Sequence, residues 1–532
     1  MVITPQTNIK LLKVPFEMDN LNQLTFANAT AQYNYFNGLT GKLEYEECTY
    51  QRKDGYMAIK ENADTLQPYN YCMYQNEQYG NKWFYAFITN ITYESNKVSY
   101  VYIKTDVFQT WQFDIVYKKS FIEREHVNDD TIGLHTVPEN LELGEYISCA
   151  TPTQTSIGNY CYITVGVTKI PWLDPDIVQG HSRYNGVVGG LIYIIFNSVT
   201  SFDDFMHLAI GSQELVQCVF MIPTEYMPNP SWLSLPDSGG YYAYVDDTNT
   251  AYTLTQINVP VPTTIGTNKT PVNKKLMTYP YRYLLATNNT GIDVVYRYED
   301  FLYFNQSPSG QASFDVKGTV GVGCSIRINP KDFKKVTGAN NEEGFNLGKF
   351  PVGAWINDIY HNWLRQNGLN IGVTALSATL KLASGTAMLG TGNIAGGASN
   401  ITNGLNEITN LMVEKERASL TPPHAEGNTN ASDIMYATNK LAPTFYHMSI
   451  KDEYISIIDN FFSMYGYKVN LLKIPNIFGR ANWNYVKTVG CNITGDIPQK
   501  DLQELKNMFD NGVTLWHNPS TFLDYSQSNA IL

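Results

Sequence analysis

Glu123, Glu125 and His126 stand within the four residues EREH (123–126), side chains that could bind a metal or exchange protons. In a strand, Glu123 and Glu125 share one face while His126 points to the other, so the three do not converge. The spacing therefore predicts a solvated strand end. The pairs Asp129-Asp130, Asp203-Asp204 and Asp246-Asp247 set like charges side by side, which predicts exposed turns. GFNLGKF (344–350) is the nearest approach to a phosphate-binding loop, but its glycine spacing is wrong and Phe350 stands where a hydroxyl is required. The patterns G-x-S-x-G, H-E-x-x-H, G-x-G-x-x-G and the calcium loop are all missing. Seven cysteines are scattered without a C-x-x-C pair, which predicts buried free thiols. A hydrolase built from two distant carboxylates would leave no local trace and stays open. The expectation is a protein that is not an enzyme, with no catalytic residue, no metal and no cofactor.

The elements around these residues read mainly as strands. Of 532 residues, 43% are hydrophobic, 13% aromatic and only 16% charged, and 38 are Tyr. Aromatic residues favour pleated, half-buried surface, and so low a charge excludes a chain kept disordered by its own charge. The net charge of −12 disfavours a nucleic-acid binder, since few cations are available to replace counterions on phosphate. The N-terminus MVITPQTNIKLLKVPFEMD has no basic flank before an unbroken apolar core. No signal peptide is expected, and folding in a reducing cytoplasm is.

From residue 1 to about 150, strand signals dominate. KVSYVYIK (97–104) alternates Val98, Tyr100 and Tyr102 against Val101 and Ile103, and WFYAFI (83–88) is a short apolar run. From 151 to about 345 the runs CYITVGV (161–167), LIYIIF (191–196), VQCVFMI (216–222) and VGVGCSIRI (320–328) read as strands covered on both faces, a second β-rich block. Helices are predicted late. Ile455, Ile458, Phe462 and Tyr465 fall at helical spacing before Gly466, and Pro498 opens a helix whose face carries Leu502, Leu505 and Phe509 up to Asn511-Gly512. IKLLKVPF (9–16) echoes VNLLKIPN (469–476), and YIKT (102–105) echoes YVKT (485–488), an echo that is either coincidence or two related β units packed side by side.

The texture changes between Asn370 and Val413. These 44 residues contain two charges, Lys381 and Glu407, seven Gly, and neither an aromatic residue nor a Pro. IGVTALSATLKLASGTAML (371–389) carries the apolar residues Ile371, Val373, Leu376, Leu380, Leu382, Met388 and Leu389, and as a helix it would nearly span a ~30 Å hydrocarbon layer. Beyond GTGNIAGG (390–397), with Ile394 inside it, Ile401, Leu405, Ile408 and Met412 repeat as a helical stripe next to Leu411. Gly390, Gly392, Gly396 and Gly397 form one candidate hinge, and Pro422, Pro423 and Gly427 in TPPHAEGNTN (421–430) another. Two readings remain: a closely packed helical hairpin or plug, or a segment that inserts into a membrane when triggered and lines a pore with its Thr, Ser and Asn side chains.

NIKLLKVPF (8–16), VYIKTDVFQTWQFD (101–114), FIEREHV (121–127), FFSMYGYKVNLLKIPN (461–476) and NYVKTVGCNITGDIP (484–498) with LKNMFDNGVTLWH (505–517) carry a family resemblance. The chain resembles the tail-knob, or distal tail tube, proteins of the small short-tailed phages of Gram-positive hosts. The resemblance implies a mainly β (α+β) fold whose several β-rich domains form a homohexameric tube through which DNA leaves without specific binding. Residues 1–150 and 431–532 would make the tube domain, 151–345 an inserted β-rich knob or distal domain, 346–369 a connector and 370–430 a hydrophobic, partly helical loop segment. That loop is implied to plug the lumen and then to penetrate the host cytoplasmic membrane. Implied partners are the lower collar or connector and the tail-tip lysin, and the implied location is the tail tip of the virion, assembled in the host cytoplasm. A cell-wall receptor-binding tail protein, with the Tyr-rich 151–345 block stacked on sugars, is the alternative. A closed ring would also pair sheet edges between subunits, which suits many strands with few protective charges.

Overall fold

The computed structural model describes residues 6–349, with breaks at 52–54, 78–79, parts of 156–191, 209–215, 225–228, 245–252, 306–309, 320–324 and 340–341, together with 355–357, 424–426 and 442–532. Strands outweigh helices, as the composition leads one to expect. The chain divides into two compact units: residues 1–147, 264–281 and 450–532 form the first, and 148–263 with 282–449 the second.

In the first unit, six strands close into a barrel in the order Thr7–Leu12, Leu43–Gln51, Tyr56–Ile59, Val98–Thr105, Trp83–Ser95, Tyr71–Asn76. Antiparallel pairing of Thr7–Leu12 with Tyr71–Asn76, Leu11 opposite Cys72, makes the closure. Alternation then sorts the side chains. Ile9, Leu11, Met57, Ile59, Cys72, Ala86 and Val101 fill the interior, while Tyr71, Met73, Tyr85 and Phe87 pack with Phe36, Trp483 and Trp516. Asp106 is buried at the head of the short helix Val107–Trp111, where it accepts from the Gln109 amide at 3.1 Å and from the Tyr71 hydroxyl at 2.9 Å.

A second sheet of this unit runs Asn22–Leu24, Val513–Trp516, Trp483–Val489, Ser120–Glu125, Tyr467–Lys473. Two helices attend it, both where the residue spacing predicts them. Asp452–Tyr465 buries Ile455, Ile458 and Phe462 and ends at Gly466, whose φ of 65° few other residues would tolerate. Gln499–Asn511, opened by Pro498, buries Leu505, Met508 and Phe509 and stops at Gly512. Each fully buried Phe, Leu or Ile contributes about 1.5–3 kcal/mol of burial, so the helices are held by their apolar faces more than by their caps.

The echoed peptides prove not to be structural equivalents. Thr7–Leu12 and Val98–Thr105 sit in the barrel with two strands between them, whereas Tyr467–Lys473 and Trp483–Val489 flank Ser120–Glu125 on either side.

The second unit contains antiparallel sheets. One runs Val216–Pro223, Cys161–Val167, Ile192–Phe196, Tyr241–Tyr244, Leu233–Ser234. Another runs Thr253–Pro260, Gln311–Thr319, Ser325–Phe333, Val336–Ala339, with Phe345–Lys349 also paired to Ser325–Phe333. Within GFNLGKF, Phe345–Lys349 is thus strand, not a phosphate cradle. In a third sheet, Thr444–Ile450 pairs with Arg282–Thr287, Leu284 opposite His447. Ile195, Ile222, Ile257, Leu284, Phe314 and Phe445 join these sheets in one core. Part of the aromatic richness of the block is spent in this core: Tyr296, Tyr298, Phe301, Phe314 and Phe333 are all buried in it.

Candidate functional site

The residues singled out for membrane contact, Ile371, Val373, Leu376, Leu380, Leu382, Met388, Leu389, Ile394, Ile401, Leu405, Ile408, Leu411 and Met412, lie outside the described residues. So do the hinge candidates Gly390, Gly392, Gly396, Gly397, Pro422, Pro423 and Gly427. What the structure does place is the chain on either side. Trp355–Asn357 pairs antiparallel with His424–Glu426, Trp355 opposite Glu426, Ile356 opposite Ala425 and Asn357 opposite His424. The two points at which the chain enters and leaves residues 358–423 are therefore neighbours in one ladder. Cross-strand neighbours sit about 5 Å apart, so Asn357 and His424 are close in space. Nothing in the short peptides WIN and HAE announces this pairing.

The EREH stretch is the other place where chemistry is conceivable, and here the expectation of a solvated strand end is overturned. Glu125 and His126 are almost fully buried. Glu125 accepts from Lys473 Nζ at 2.6 Å and from the Asn476 amide at 2.9 Å. The His126 ring receives the Tyr485 amide on Nδ1 at 2.8 Å, while its Nε2 lies 3.1 Å from the Ser463 carbonyl oxygen. That pair of neighbours requires a neutral imidazole, protonated on Nε2. Burial first, and the Arg480 guanidinium second, push its pKa down to about 3. Only Glu123 keeps the expected surface character, ion-paired to Lys487 at 2.9 Å.

A second buried knot adjoins it. Glu139 ion-pairs with both Arg124 and Lys275 and accepts from the Lys468 amide at 2.9 Å. Burial pulls the Lys275 ammonium below its usual range against the pull of Glu139. Asp130, one of the acidic pairs assigned to exposed turns, instead accepts from the Tyr467 hydroxyl at 2.7 Å and the Lys274 amide at 2.9 Å. Burial raises its carboxyl, partly offset by those hydrogen bonds. Its partner Asp129 is exposed, as expected.

These groups satisfy one another, and no nucleophile stands beside a free base among them. Their effect is mechanical: they tie the 120–139 stretch to 274–275, to the Asp452–Tyr465 helix and to the strands that follow it. The buried carboxylates Glu125 and Glu139 are each ion-paired, without which their desolvation would cost several kcal/mol. Among the described residues, no three His, Cys, Asp or Glu side chains gather as they would around a metal ion. Cys48, Cys72 and Cys491 are buried free thiols, as the scattered spacing predicts, and burial raises the first and last to about 11. Cys149, also free, is only partly buried.

Comparison with known proteins decides the family. Residues 241–530 match the model of the C-terminal domain of tail knob protein gp9 of Bacillus phage phi29, and residues 5–118, which contain the barrel, match the Caudoviral major tail protein N-terminus. The chain belongs to the phi29-type tail knob proteins. It is 25% identical to tail knob protein gp9 of Bacillus phage phi29, over 99% of this chain and 98% of that one. It is 27% identical to tail knob protein gp9 of Bacillus phage B103, with the same coverage. The solved structure of the bacteriophage C1 tail knob protein, gp12, shares the fold with a TM-score of 0.63 at 15% identity, covering 99% of this chain and all of that one. A tail knob protein is a structural component of the phage tail, and the buried polar knots suit that role: they fasten sequence-distant segments of one unit without leaving a reactive group in solvent. Among the described residues of this tail knob chain, no helix is long and apolar enough to cross a membrane.

Proposed function

We propose that copies of the chain assemble into a closed tube at the far end of the tail, that the genome leaves through it, and that residues 370–413 obstruct the lumen before release and then engage the host cytoplasmic membrane. The observation that carries this reading is the ladder between Trp355–Asn357 and His424–Glu426. It anchors both ends of a stretch that contains 44 residues with two charges and no aromatic residue. An excursion of that composition has no reason to remain in water alone. Neighbouring copies can shelter it, and a hydrocarbon layer can receive it. The nine Ser, Thr and Asn residues between Leu382 and Asn406 suit a water-filled lumen more than lipid. The net charge of −12 lets such a conduit pass DNA without gripping phosphate.

The receptor-binding alternative has only part of the block's aromatic surface to offer to sugars, because Tyr242, Tyr296, Tyr298, Phe301, Phe314 and Phe333 are buried while Tyr241, Tyr279 and Tyr303 are exposed. The test is deletion of residues 371–412. The shortened protein is expected to assemble as the full chain does but to release no dye from liposomes at mildly acidic pH. Equal leakage from both proteins would remove the membrane role.

A further inference from the structure

The helix Gln499–Asn511 ends beside the loop Asp19–Leu21, and a cleft of about 140 Å³ opens between them within the first unit. Its two walls are fastened to each other. The Leu21 carbonyl accepts from the Thr514 amide at 2.8 Å, and Asn22 lies opposite Thr514 in a parallel pairing that runs on to Leu24 and Trp516. Asp19 Oδ1 accepts from the Leu21 amide at 2.9 Å and so holds the loop closed. Backbone pairing thus sets the width of the cleft.

Its electrostatics favour a cation. Asp19 and Glu504 both line it, and no Lys or Arg is among the described residues that do. The carbonyls of a helix's last turn lack intrahelical donors and carry the negative end of its dipole. Here that end lies at the cleft, through Met508 and Asn511, and no basic residue sits in the last turn to offset it. Glu504 gives Oε1 to Lys104 at 2.9 Å. Its Oε2 and the Oδ2 of Asp19 have no hydrogen-bond partner among the described residues.

Size and lining narrow the choice of cation. A calcium ion takes about six to eight oxygens at contact distance. Two carboxylates, one of them shared with Lys104, fall short of that, and a bare ion would leave most of the 140 Å³ to water. Leu21 and Met508 instead supply apolar wall, against which the methylenes of a long basic group can lie while its charged head meets the carboxylates. We propose that the cleft binds an organic cation of that form, an alkyl chain ending in a guanidinium or ammonium group. An Arg or Lys side chain of another polypeptide and a free small amine or guanidine share this chemistry.

The test is calorimetric titration of the full-length protein with n-butylguanidinium, with the tripeptide acetyl-Gly-Arg-Gly-amide and with calcium chloride. It compares wild type, the double variant Asp19→Asn/Glu504→Gln and the control Glu142→Gln, whose carboxylate is exposed elsewhere in the same unit. The double variant keeps the shape of both side chains, and an amide at position 19 can still accept from Leu21, so its circular dichroism melt is expected to match wild type. Wild type and control are expected to bind n-butylguanidinium alike, and the double variant at least ~10-fold more weakly. That difference is expected to shrink at high salt. A tripeptide that binds as tightly as n-butylguanidinium makes a polypeptide side chain the source, and a tripeptide that is excluded makes it a free small cation; either result supports the site. Equal affinity in wild type and the folded double variant overturns it, as does the absence of binding to wild type. A response to calcium alone replaces the organic cation with a metal and refutes the proposal.

Discussion

Acidification should loosen the first unit through His126, and the size of the effect follows from its surroundings. The neutral ring accepts the Tyr485 amide and contacts the Ser463 carbonyl, with Arg480, His517 and Arg124 as the charged or titratable groups that disfavour its protonation. Its pKa is about 3 in the folded protein against an ordinary 6.5. The unfolded chain therefore binds a proton first, so the stability is complete above pH 6.5 and is lost as pH falls toward 3. At ~1.4 kcal/mol per pH unit, His126 alone costs about 2 kcal/mol at pH 5. His517, lowered to about 4 by burial, acts in the same direction. Asp106, raised to about 6 by burial, acts oppositely: protonated more readily when folded, it returns stability between pH 6 and its ordinary 3.8. The clean comparison is therefore with His126→Gln, whose amide can accept from Tyr485 and donate to Ser463 without titrating. Urea unfolding followed by tryptophan fluorescence, with Trp483 and Trp516 buried in the same unit, reads both proteins at pH 7.5 and pH 5. The variant should lose about 2 kcal/mol less than wild type over that interval. Parallel losses would refute the assignment of the acid sensitivity to His126.

Two further substitutions test the framework. Gly466→Ala forces an L side chain into φ 65° and presses its Cβ against the Glu125 carbonyl oxygen, so it should cost more than the ~1–2 kcal/mol of the left-handed backbone alone, and an unchanged urea midpoint would contradict this. Lys275→Met removes one of the two cations from the buried Glu139 and should destabilise by about 3 kcal/mol. A melting temperature within a degree of wild type would show that Arg124 suffices.

What could be read from the residues was local. The helices Asp452–Tyr465 and Gln499–Asn511 carry their apolar spacing, a glycine stop and, in the second, an opening proline within one short window. The strands at 83–95, 161–167 and 216–223 announce themselves as apolar runs. Closure of the barrel was not legible, because it depends on Thr7–Leu12 meeting Tyr71–Asn76 in a particular register. The membership of 264–281 in the first unit has no compositional mark either. EREH misled for a related reason. Its polarity suggests solvent, whereas its partners Ser463, Lys473, Asn476 and Tyr485 lie more than 300 residues away and exist only once the strands have paired. The apolar segment was legible by composition alone, since 44 residues without an aromatic stand out in a chain with 13%.

Where residues 370–413 go during ejection is open to direct measurement. Virions triggered to eject in the presence of liposomes containing a photoactivatable phospholipid, then digested and mapped by mass spectrometry, address this directly. Lipid adducts are expected on peptides within 370–413 after ejection and on none of them before it. Adducts confined to other parts of the chain, or present equally in untriggered virions, would contradict the account.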